Sequence, residues 1–163
     1  MSERTSSGAA VVTLPAPEQI LITRRFEAPR HLVYRAWTTP ELIRRWWHAE
    51  RGEVSDIEVD LRVGGRWRYV MIAHGGFEVA FHGEYREIVP DSRLVTTEIY
   101  EGAPDSGEAL TTASFEDSAG GTLLTLLVEH ANQAGRDMHL NSGMEDGLQD
   151  ALNLVEQVAQ SLS

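Results

Sequence analysis

The sequence has neither cysteine nor lysine among its 163 residues; all fourteen of its basic side chains other than histidine are arginine. Without thiols there can be no disulfide, thiol nucleophile, Cys-ligated zinc or iron–sulfur centre. Without an ε-amine, Schiff-base catalysis is closed as well. Long hydrophobic runs are also missing: near the N-terminus residues 9–14 are apolar apart from Thr13, and Pro15 and Pro17 follow. That stretch is too short for a signal-peptide core or a membrane span, so a cytoplasmic location and no membrane partner are expected. Its small and polar residues read as a disordered leader over residues 1–17, followed by one domain over 18–163.

Positive charge is scarce in the second half. The formal charge is −11, yet residues 1–93 hold 13 arginines against 13 acids, while residues 94–163 hold Arg136 against 12 acids. A nucleic-acid partner is therefore not expected, because neutralising phosphates takes a clustered excess of cations. The acidic segment reads as a solvated helix face and loops, or else as a surface for a basic partner.

What is present is a hydrophobic content of 42%, enough for one domain with a real core. Residues 19–26 alternate as a strand, and Pro29 then starts a helix carrying Leu32, Val33, Ala36 and Trp37. A second short helix begins at Thr39-Pro40-Glu41, with Leu42, Ile43, Trp46 and Trp47 on its apolar face. Period-two patterning follows over Ile57, Val59, Leu61 and Val63. It resumes after Gly64-Gly65 with Trp67, Tyr69 and Met71, and after Gly75-Gly76 with Phe77, Val79, Phe81, Tyr85 and Val89. Residues 93–100, 110–116 and 122–130 read as further strands. From residue 136 to 162 apolar side chains recur at three- and four-residue intervals, as in one helix of about 37 Å. The expected fold class is α+β: a curved antiparallel sheet of six to seven strands wrapped around a long C-terminal helix, with two short helices after the first strand.

The helix must cover the apolar face of the sheet, and two features suggest a cavity between them. Gly143 and Gly147, beside Met144 and Leu148, each weaken a helix by about 1 kcal/mol relative to alanine. They either leave room for a ligand or let another element approach closely. Among the aromatic residues, most of which are core, Trp46, Trp67, Tyr69, Phe81 and Tyr85 are the candidates to line the cavity.

The ordered set Phe26-Glu27-Ala28-Pro29, Trp46-Trp47, Gly64-Gly65-Arg66-Trp67, Gly83-Glu84-Tyr85, Gly121-Thr122 and Gly143-Met144-Glu145-Asp146-Gly147 resembles the SRPBCC superfamily. The branch is similar to the C-terminal domain of the activator of the ninety-kilodalton heat-shock chaperone ATPase, over about residues 19–160. The resemblance implies a START-like helix-grip fold with a deep hydrophobic cavity, in a superfamily of lipid, steroid and polyketide binders and some cyclases.

Catalytic signatures are thin. The six histidines form no helix pair suited to zinc, and neither a nucleophile elbow nor a phosphate-binding glycine loop occurs. No metal or cofactor is expected. Glu87 is a weak catalytic or anchoring candidate, since its parity with Phe81 and Tyr85 points it inward unless a bulge intervenes; an ion pair or plain exposure is the alternative. The expected function is binding of an apolar small molecule in the cavity, by a monomer or a homodimer. A cavity enzyme of cyclase or hydrolase type and a protein-binding, co-chaperone-like module remain as alternatives.

Overall fold

The computed structural model describes residues 9–163. In β2 (Gln19–Phe26) every second side chain, Ile20, Ile22, Arg24 and Phe26, is buried, as in a strand with one face on a core. Pro29 caps α1 (Arg30–Thr38), and Pro40 opens the short α2 (Pro40–Ile43). In both places a missing N–H costs nothing. A six-strand meander follows: β3 (Gly52–Val59), β4 (Arg66–Ala73), β5 (Glu78–Val89), β6 (Arg93–Tyr100), β7 (Ala109–Ser118) and β8 (Gly121–Glu129). Two helices, α3 (Gln133–Leu140) and α4 (Met144–Ser161), end the chain.

Three expectations are corrected. Residues 1–17 are not all leader: β1 (Val11–Thr13) pairs with β2 along the sheet edge, and residues 1–8 lie outside the described residues. Three residues are too few to reveal an alternation, which is why β1 was not legible and why the sheet has eight strands rather than six to seven. The terminal helix is two helices, because Gly143 adopts φ +84° at the N-cap of α4. That left-handed conformation interrupts a helix and suits glycine. Finally, β3 ends at Val59, leaving Leu61 and Val63 exposed in the connection to β4.

The sheet is antiparallel throughout, in the order β1-β2-β8-β7-β6-β5-β4-β3. Register shifts between Val54 and Asp56 and between Tyr85 and Glu87 mark bulges, which bend and twist a strand locally. The concave face meets α4, which packs beside α1. Leu152, Val155, Val158 and Ala159 of α4 are buried with Ile20, Phe26, Phe115 and Leu124 of the sheet. Each such Leu, Val or Phe side chain contributes about 1.5–3 kcal/mol.

A charged residue lies within this core. Arg24, 1% exposed, reaches from β2 to α4, where it donates to Glu156 Oε1 at 2.8 Å and Asn153 Oδ1 at 3.1 Å. The other Glu156 oxygen accepts from the Glu27 backbone N–H at 2.7 Å.

Candidate functional site

Strand register assembles the site on the half of the concave face farthest from β2. Ladder pairs Tyr69 with Phe81, Trp67 with Gly83, Phe81 with Tyr100 and Tyr85 with Thr96, so these positions share one face. Trp67 and Tyr69 lie 4.8 Å apart between ring centroids, and Phe81 and Tyr100 5.0 Å apart. Trp47, from the turn after α2, meets Tyr69 at 5.4 Å and Phe81 at 5.9 Å, edge to face in both cases, the arrangement favoured by the ring quadrupoles.

Of the residues expected to line a cavity, Trp67, Tyr69, Phe81 and Tyr85 come together here. Trp46 does not: it is buried, stacks on Trp37 at 4.9 Å and donates its indole N–H to the Ala36 carbonyl at 2.9 Å. Its neighbour Trp47 takes the place assigned to it. Gly143 serves the backbone turn, at φ +84°, with open space where a Cβ would stand, while a Cβ on Gly147 would meet the Arg51 guanidinium at 3.7 Å. Met144 is half-buried at the start of α4. Glu87 faces outward, because the bulge after Tyr85 shifts its parity; it is exposed and pairs with Arg93 at 3.2 Å.

The acid inside the grip is Glu98. It pairs across the ladder with Ala109, and the register that matches Phe81 with Tyr100 sets it opposite Gly83 on the other side. Glu98 therefore stands between the two smallest side chains of the row. The Trp67 indole lies across Gly83, where a Cβ would come within 2.7 Å of Nε1, and its N–H donates to the Thr97 carbonyl at 3.2 Å. Burial pushes the Glu98 carboxyl up to about 7. Burial likewise raises the Tyr69 and Tyr85 hydroxyls; Tyr69 also senses the charges of Tyr85 and Glu98. Among the described residues, none of these three polar groups has a hydrogen-bond or ion-pair partner. Glu98 and Tyr69 nevertheless retain accessible surface.

A histidine pair lies at the end of β8. His130 Nε2 and His139 Nδ1 are 3.0 Å apart, brought together by α3 folding back on the strand. Burial lowers both imidazoles, His139 to about 4; the charge of Arg136 adds to this at His130, and that of His130 adds to it at His139. At neutral pH both are neutral, and one donates to the other. No group of three or more metal-ligating side chains converges among the described residues. One cleft of about 480 Å3 lies beside Arg30, Asp91 and Asp117, and another of about 330 Å3 beside Trp67, Arg68, His82, Gly83 and Glu101. No described helix is long and apolar enough to cross a membrane.

A curved antiparallel sheet closed on a C-terminal helix defines the helix-grip class of the SRPBCC superfamily. The chain belongs to the family described as "Activator of Hsp90 ATPase homolog 1-like protein", whose model matches residues 27–160. Its fold is similar to that of a Rhodobacter sphaeroides protein with a TM-score of 0.86 and 24% identity, covering 93% of this chain and 99% of that one. A Chromobacterium violaceum protein is 30% identical with a TM-score of 0.74, covering 86% and 99%. An AHSA1-like protein from Aeromonas hydrophila is 23% identical with a TM-score of 0.70, covering 88% and 93%. A search of curated proteins found no match.

Proposed function

We propose that the protein binds an apolar small molecule between α4 and strands β4–β6. The observation that carries this reading is the uneven burial along α4. Leu152, Val155, Val158 and Ala159 are buried, whereas Met144, Leu148 and Ala151 are half-buried, as are Trp47, Tyr69 and Phe81. Apolar surface left accessible at the open end costs about 25 cal/mol per Å2, and a hydrophobic occupant removes that cost.

Admission of a ligand moves the first turns of α4 away from the sheet. Polar contacts at the rim hold that end. Asp150 pairs with Arg51 at 2.8 Å, and the Gln149 amide exchanges two hydrogen bonds with the Ala10 backbone, at 3.0 and 2.9 Å. An ion pair as exposed as Arg51–Asp150 contributes about 0–1 kcal/mol, so releasing it costs little.

A panel of lipophiles, read by thermal shift and by tryptophan fluorescence, tests the proposal. A ligand at a hundred times its Kd stabilises the native state by about 2.7 kcal/mol, a rise in Tm of several degrees. Trp47→Phe should weaken the fluorescence response, leaving the part carried by Trp67, while keeping the thermal one. If no compound stabilises either the wild type or the loosened Arg51→Ala variant, the binding proposal is wrong.

A further inference from the structure

The open half of the grip has an electrostatic character that narrows the class of ligand. Its walls are the rings of Trp47, Trp67, Tyr69 and Phe81, and its one interior carboxyl is Glu98. Flanked by Gly83 and Ala109, that carboxyl is not covered by its row neighbours. Among the described residues, no arginine of β4–β6 pairs with it. Arg66, Arg86 and Arg93 are exposed, and Arg68 is on the outer face, bound to Glu101 through two hydrogen bonds of 2.9 Å. Arg24 is engaged with Glu156 on α4.

Resting on the small-molecule reading above, we propose that the site selects a lipophilic amine, with its ammonium group on the Glu98 carboxylate and its apolar body among the aromatic rings. Ring faces attract cations through their quadrupoles, more strongly where water is excluded. A buried carboxylate without a partner is costly, and an ammonium supplies both the countercharge and the N–H donors it lacks. A fatty acid would instead bring a second negative charge beside Glu98. A neutral alcohol could donate a hydrogen bond but leaves the charge unbalanced.

Binding is linked to protons. Among the described residues, Tyr69 on β4 is the titratable group that senses the charge of Glu98, with Tyr85 on β5 next to it. Beyond Ala109, where β8 ends opposite β7, lies the His130–His139 pair. An ammonium that binds the ionised carboxyl therefore expels the Glu98 proton when the pH is below about 7.

Calorimetry with decylamine, decanol and decanoate, each below its micellar concentration, provides the test at pH 6 and pH 8. Decylamine should bind about ten- to a hundredfold more tightly than decanol, the range expected for a charged hydrogen bond. At pH 6, buffers of different ionisation enthalpy should report proton release. Glu98→Gln should abolish the preference for decylamine over decanol. Equal affinities for decylamine and decanol, a preference for decanoate, or a decylamine affinity untouched by Glu98→Gln would each overturn the amine assignment while leaving the apolar site in place. Absence of binding by all three overturns the amine assignment, and the wider lipophile panel then decides the small-molecule reading separately. Proton release in the wild type is a readout that needs no variant.

Discussion

Glu98 and Glu101, three residues apart at the end of β6, face opposite sides of the sheet and are driven in opposite directions: burial pushes the first carboxyl up to about 7, while the hydrogen bonds from Arg68, aided by His82, hold the second down to about 2. The stability profile should carry this signature. A carboxyl whose folded pKa is raised stabilises the native state below its unfolded pKa, and that contribution disappears as the pH rises through about 7. Glu101 acts in reverse, its contribution being lost as the pH falls toward about 2. His139, lowered to about 4 by burial, also favours the native state above its ordinary pKa and loses that contribution as the pH falls. Urea denaturation of Glu98→Gln should therefore match the wild type near pH 4 and exceed it by roughly 3 kcal/mol above pH 7.5. Parallel profiles would show that Glu98 is solvated.

The Arg24–Glu156 pair joins β2 to α4 inside the core. Removing one partner strands the other, so Glu156→Ala should cost about 3–5 kcal/mol in chemical denaturation. The double variant Arg24→Met, Glu156→Leu should recover most of that loss, because neither charge then remains buried. If the double variant is as unstable as the single one, the pair contributes more than mutual neutralisation.

The two glycines around the start of α4 should respond differently. Gly143→Ala forces an L-residue into φ +84° and should cost about 1–2 kcal/mol. Gly147→Ala puts a methyl group at ordinary contact distance from Arg51 and should raise stability by up to about 1 kcal/mol. A Tm lowered by Gly147→Ala would mean that the space beside Arg51 has another use.

Most of the architecture was legible because alternation and helical spacing are direct consequences of burial. Residues 93–100 matched β6 from end to end. The site was harder to read. Trp46 and Trp47 are adjacent and equally apolar, and the turn of chain that aims one at Ala36 and the other at Tyr69 is set by tertiary packing. The bulge that turns Glu87 outward falls among the polar residues Arg86 and Glu87, where periodicity carries no mark of it. Arg24 and Glu98 were readable in principle: the first shares parity with Ile20, Ile22 and Phe26, the second with Leu94 and Thr96. Charge argued against placing either inside, but a partner on α4 for Arg24, and the small neighbours Gly83 and Ala109 for Glu98, override that expectation. The His130–His139 contact depends on how α3 folds back, which no local pattern encodes.

The strand order also governs how the chain reaches its native state. Strands β3 to β8 each pair with a neighbour in sequence, so hairpins can build the aromatic half as synthesis proceeds. By contrast, Gln19 of β2 meets Glu129 of β8, 110 residues further along. The closed end of the grip must therefore wait for nearly the whole chain to emerge and then pay a large loop-closure entropy. Folding should be limited by this late docking of the N-terminal strand, leaving the aromatic wall to form before the core that anchors it.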